Sequence, residues 1–187
     1  MSTNLAVELT HWFCDLATQY YVAGRLAARG GLVPVHGNLF HHAIEMYLKA
    51  TLVGTVTMPQ MKQTYGHNLV KLWSAYKAQQ HAPVLGRFDK TITALHRFES
   101  IRYPDAIVTR GMLTGVVWTR GGVKIPNAKK NPRRPEPKYE VVIAEVDELV
   151  IEILDRAGRN PKVFVLSISG DARAALSYQN PTSARWA

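Results

Sequence analysis

Cysteine is almost missing from this chain of 187 residues, in which Cys14 stands alone. A single thiol excludes an intramolecular disulfide framework and fits a reducing compartment. Long apolar runs are missing as well. The most apolar region, Val141 to Leu154, is broken by Glu145, Asp147, Glu148 and Glu152. No segment offers the ~18 uncharged apolar residues that a spanning helix needs. The opening MSTNLAVEL lacks the basic n-region of a signal peptide. No Walker loop, Rossmann glycine fingerprint, His-Glu-x-x-His or paired Cys-x-x-Cys occurs, which removes the usual signals of nucleotide-loop and zinc-dependent chemistry. Acidic residues are scarce, 14 against 23 Lys plus Arg, for a net charge of +9. These absences lead to the expectation of a soluble, basic, cytoplasmic protein with no membrane association. What is present suffices for a core: 47% of residues are hydrophobic and 20% charged, in a length that suits one domain.

The charge is unevenly spread. Residues 1–105 carry +4, residues 106–138 carry +7, and residues 139–187 carry −2. The middle segment also holds four of the ten prolines. Lys124, Lys129, Lys130, Arg133, Arg134 and Lys138 place six cations within 15 residues against Glu136 alone. Such a footprint suits phosphate backbones or an acidic protein partner. Trp118 and Tyr139 flank it, and rings beside cations stack on bases of single strands. The blander reading of the same residues is a solvated loop that keeps the chain in solution.

Periodicity predicts helices through the first half. Ala6, Leu9, Phe13, Leu16, Tyr20, Ala23 and Ala27 recur in steps of three and four, the stripe of a helix with one buried face. Gly30-Gly31 ends it, with Pro34 beyond. Asn38 is the expected N-cap of a second helix, LFHHAIEMYLKATLV, apolar around most of its circumference and therefore central or at an interface. Thr55 to Tyr65 reads as a connection. A third helix follows Asn68, and a fourth runs from Leu85 to about Glu99, stopping before Pro104. The pattern then changes. Residues 113–125 read as a β-hairpin about Arg120-Gly121-Gly122, residues 126–138 as a loop, and Tyr139 to Ile143 as a third short strand. Glu145 to Ala157 returns to helix and stops at Gly158. A short helical stretch, DARAALSY, lies near the end. The expected fold is an all-α antiparallel bundle forming one domain over 1–187, with a β-hairpin and basic loop at 106–143 inserted before the last long helix.

Four strings in order resemble the HEPN superfamily, small helical bundles found in prokaryotic toxins (including toxin–antitoxin systems) and RNA-processing proteins. GNLFHHAIEMYLKATLV resembles its second helix, YGHNLVKLW its Gly-His-Asn/Asp-Leu segment, RFESIRYPD its Arg-Tyr-Pro helix ending, and VDELVIEIL its closing helix. The resemblance covers residues 6–105 and 140–157. It implies a bundle that pairs as a homodimer and associates with RNA or nucleotides. Ribonucleases of that superfamily carry an Arg, four to six intervening residues, then a His, and the pair assists attack by the RNA 2′-hydroxyl without a metal. Here no His follows Arg97 or Arg102, since all seven histidines lie between His11 and His96. The one formal match, Arg29 with His36, falls in the loop after the first helix. The expectation is therefore an accessory or regulatory protein without catalysis. The alternatives are a ribonuclease with a displaced site, built from His67, His96, Arg97 and Arg102, or a protein-interaction module.

The histidines also bear on metal binding. His41 and Glu45 are four apart, and His42 and Glu45 three apart, so either pair shares a helix face. Bundles build metal centres from such inward pairs, but no Glu-x-x-His recurs on two helices. His41 and His42 point ~100° apart, so one of them at most is expected at a given site. No metal and no cofactor is therefore expected. Cys14, among core positions, suits an inert thiol.

Overall fold

The computed structural model describes residues 3–120 and 137–187. Their architecture is an all-α bundle with eight helices among the described residues and a two-stranded parallel sheet. Two long helices, α1 (Thr3–Arg29) and α2 (Val35–Leu52), form an antiparallel hairpin. Helix α2 is central, touching α1, α4 (Leu69–Gln80), α5 (Asp89–Phe98) and α7 (Ile143–Arg156). That placement explains its apolar circumference. Phe40, Ile44, Tyr47 and Leu48 on α2 are fully buried with Leu72, Leu95, Phe98, Leu149 and Val150. Each such side chain contributes about 1.5–3 kcal/mol relative to exposure. No helix among the described residues is long and apolar enough to cross a membrane.

The buried face of α1 is not the one its apolar stripe predicts. Leu16 and Tyr20 are 44% and 38% exposed, whereas Cys14, Ala17, Thr18, Tyr21 and Arg25 turn inward. The polar groups on that inner face are satisfied by distant partners. Thr18 shares a 2.7 Å hydrogen bond with the Tyr47 hydroxyl, and the Arg25 guanidinium pairs with Asp147 of α7. Cys14 is buried as expected, and burial pushes its thiol up to about 11.

Helix α2 begins three residues before its expected cap, so Asn38 lies inside it. The turn at Pro34 starts the helix, with the Gly37 N–H donating to the Pro34 carbonyl at 3.0 Å. Gly37 then packs against α5 so closely that a Cβ would stand 2.1 Å from the Phe98 ring. Asn68 does cap α4, its side chain accepting from the Lys71 N–H at 3.0 Å, a contact of about 1 kcal/mol. The expected connection at 55–65 holds a short helix, α3 (Met58–Thr64), closed by a capping box between Thr57 and Gln60. After α5 the chain passes one 3-10 turn (Glu99–Ile101) and re-enters helix in α6 (Pro104–Arg110), where Pro104 serves as a first-turn residue. Helix α7 stops at Gly158, at φ +62°. Helix α8 (Gly170–Ser177) follows, capped by Ser169.

The sheet differs from a hairpin of neighbouring strands. β1 (Leu113–Thr114) pairs in parallel with β2 (Lys138–Tyr139), and Val117 bridges Val142. The expected turn at Gly121-Gly122 and the run after it lie outside the described residues. The ladder continues into α7, whose first amides donate to Val117 and Trp118 carbonyls: Ile143 at 2.9 Å and Ala144 at 3.0 Å. Orphan N–H groups of the helix start are thereby satisfied.

Candidate functional site

Two turns of α2 place His41, His42, Glu45 and Lys49 together, because positions three and four apart share a face. Glu45 has no exposed side-chain surface. An isolated carboxylate there would be costly, so its partners decide the chemistry. Lys49 Nζ donates to Glu45 Oε1 at 2.5 Å. His67, in the turn just before the Asn68 cap, sets Nδ1 at 3.1 Å from both Glu45 oxygens. His42 Nδ1 lies 3.5 Å and His41 Nε2 3.6 Å from Oε2. The acid that meets the two adjacent histidines is itself a side chain of α2, three and four residues on. It lies between the imidazoles, so both reach one oxygen despite pointing apart, against the expectation that only one would.

The 3-10 turn after α5 closes the other side. Glu99 Oε2 stands 3.7 Å from His41 Nε2, and Arg102 Nη1 stands 3.5 Å from Glu99 Oε1. The His96 ring stacks on His41 at 6.1 Å between centroids. The His41 ring is fixed from behind, its Nδ1 lying 3.1 Å from the Leu95 carbonyl. A carbonyl only accepts, so Nδ1 carries hydrogen and Nε2 is directed at the two carboxylates with no hydrogen-bond partner. Access is graded. His41 is 1% exposed, His42 19%, Glu99 30% and His67 55%.

Electrostatics follow from these contacts. Burial alone would raise the Glu45 carboxyl. The neighbouring His41 and His42 imidazoles and the Lys49 ammonium outweigh it and hold the carboxyl far below the ordinary range. Burial lowers His96, as does neighbouring His41, with Glu99 pulling the other way. Glu45 and Glu99 are set against the Lys49 ammonium and the Arg102 guanidinium, and the side of Glu45 that faces His42 and His67 is suited to a cation.

The sequence candidates are thus divided. His41, His42 and Glu45 meet. His67, His96 and Arg102 adjoin them, while exposed Arg97 lines a separate depression with Asp89, Lys90 and Thr93. Arg29 lies over the Tyr178 ring at 5.5 Å, and His36 is buried against Phe40 and Phe98, so the formal Arg–His match is no reactive pair. Lys138 is exposed and paired with Glu140 at 2.5 Å; Lys124, Lys129, Lys130, Arg133 and Arg134 lie outside the described residues. The flanking aromatics are not free to stack. Tyr139 is 5% exposed, and Trp118 packs edge-on to Tyr178 at 4.9 Å with Arg25 over its face. Sequence reasoning missed Glu99, which reaches His41 from a different element. The Gly66-His67-Asn68 turn was the available signal for His67, since the cap fixes where that histidine sits.

Comparison of the chain with protein-family models, curated proteins and solved structures finds no match.

Proposed function

We propose that the chain is a HEPN-like accessory or regulatory protein of the cytoplasm, binding RNA or nucleotides through its basic segment without cleaving them. The observation that carries this reading is the partition of charge. Residues 106–138 hold +7, whereas the histidine cluster of the helical body sets Glu45 and Glu99 against Lys49 and Arg102 and offers phosphate no net positive charge. Both ends of the segment are held on the body. The Leu113 N–H donates to the Pro137 carbonyl at 3.1 Å, and Val117 bridges Val142. A gel-shift series across salt tests it. With all six cations on phosphates, log affinity against log salt is expected to slope at about −4 for single strands, falling to about −1.5 when Lys129, Lys130, Arg133 and Arg134 become alanine. Binding indifferent to salt and to those substitutions would exclude the reading.

The ribonuclease alternative keeps one supporting observation, the closeness of His67, His96 and Arg102 to Glu45 and Glu99. Incubation of metal-free protein with labelled RNA separates the two, and no cleavage is expected. Homodimerisation is part of the proposal. It is supported by a row of exposed apolar side chains on α1, Leu5, Trp12, Leu16 and Tyr20, from 38% to 55% exposed. Sedimentation is expected to give twice the chain mass, with Trp12→Glu reducing it to one.

A further inference from the structure

We propose that His42, Glu45 and His67 form a binding site for a divalent first-row transition ion, zinc being the best fit, with the buried His41 positioning Glu45. Among the described residues these three form a group in which one ligand atom from each lies within 4.8 Å of the others. The spacing has a physical meaning. Ligand atoms ~2.1 Å from a tetrahedral zinc stand ~3.4 Å apart. Around Glu45 Oε2 the imidazole nitrogens stand at 3.1 Å (His67), 3.5 Å (His42) and 3.6 Å (His41). The His67 and His42 spacings suit edges of a coordination shell, and that of His42 is long for a hydrogen bond.

His41 supplies an independent observation. Its Nε2 is buried, unpartnered and aimed at Glu45 Oε2 and Glu99 Oε2, while the Leu95 carbonyl fixes its tautomer. With Nδ1 on the Leu95 carbonyl, Nε2 turns toward two carboxylates without hydrogen-bonding either, and a cation held by Glu45 offsets the charge gathered there. An outer side chain fixed on a backbone carbonyl and set against a ligating carboxylate orients that ligand. The two oxygens of Glu45 divide the work. Oε1 takes Lys49 at 2.5 Å and shares His67, while Oε2 faces the imidazoles alone. Imidazole with carboxylate selects zinc and its transition-metal neighbours over magnesium or calcium. His67 binds through Nδ1 with its proton on Nε2. Being half exposed, it leaves the outer side open to water or a substrate oxygen.

The rival occupant is a proton. A His41 imidazolium would satisfy the same carboxylates and leave nothing for a metal to do. Titration calorimetry of Zn²⁺ into untagged, chelator-stripped protein distinguishes the two, with Co²⁺ absorption as a second readout. The expected result is one equivalent of zinc, tetrahedral cobalt bands in the visible, and a thermal midpoint that rises with zinc. His67→Ala and His42→Ala, at the exposed rim where folding is not at stake, are each expected to weaken binding roughly a hundredfold. His81→Asn, at the far end of α4 about 18 Å along the helix, is expected to change nothing. Absence of a stoichiometric site, or affinity unaltered in both rim variants, would overturn the proposal.

Discussion

Asp147 and Glu45 are both carboxylates with no exposed side-chain surface, and their surroundings differ in kind. Asp147 is sealed. Its partners Arg25 and Tyr21 are themselves fully buried, with the Tyr21 hydroxyl donating at 2.6 Å. Arg25 goes on to donate to the Ala175 and Tyr178 carbonyls, and Asn180 donates to the Tyr21 hydroxyl at 3.2 Å. This network joins α1, α7 and the C-terminal segment, and no ligand can reach it. Burial dominates and raises the Asp147 carboxyl, Arg25 and Tyr21 offsetting part of the rise. Glu45 is surrounded by Lys49 and three imidazoles, some at the surface, and is held low. Burial of a charge therefore does not by itself mark a site. The exposure of its partners and their unspent lone pairs do.

Substitutions can break or sharpen this contrast. The largest effect is expected for Asp147→Asn, which leaves the Arg25 guanidinium buried without its counter-charge. It should cost about 3–5 kcal/mol in urea unfolding, with zinc affinity of the folded protein unchanged. Gly37→Ala comes next, at about 2–3 kcal/mol, because its Cβ collides with Phe98. It should also weaken zinc binding, since α5 carries the Leu95 carbonyl that orients His41. Glu45→Gln is expected to cost less, about 1–2 kcal/mol, because Lys49 and His67 can turn toward water, yet to abolish the zinc-dependent rise in thermal midpoint. Equal costs at Asp147 and Glu45 would erase the distinction between them.

The smallest effect concerns His36, the histidine of α2 with phenylalanines rather than carboxylates around it. Burial lowers it below its ordinary value of 6.5, against a weaker opposing contact from the Leu32 carbonyl. The unfolded chain then binds the proton more readily. The contribution of His36 to stability is complete above pH 6.5 and is lost on acidification from there through its folded value. Stability measured between pH 7 and 5 should fall less steeply in His36→Phe than in the parent chain.

Local signals were the legible ones. Asn68, Gly158 and the Val146–Leu149–Val150–Ile153 stripe act within a turn or two of themselves, and the helices they define are present. The unread capping box at Thr57–Gln60 was legible by the same standard. The inward face of α1 was not, because Arg25 is inward only on account of Asp147, 122 residues away. The site divides along the same line. His41, His42 and Glu45 share one helix and show in the spacing. His67 and Glu99 arrive from other elements, and only the packing of α4 and α5 on α2 brings them in.

The most direct measurement is a long-range proton–nitrogen NMR spectrum of the imidazole side chains, recorded with and without one equivalent of Zn²⁺. His42 and His67 are expected to move to metal-bound nitrogen shifts, while His11, His36 and His81 stay where they were. Uniform broadening of the exposed histidines, with no metal-bound shift at His42 or His67, would contradict the proposed site.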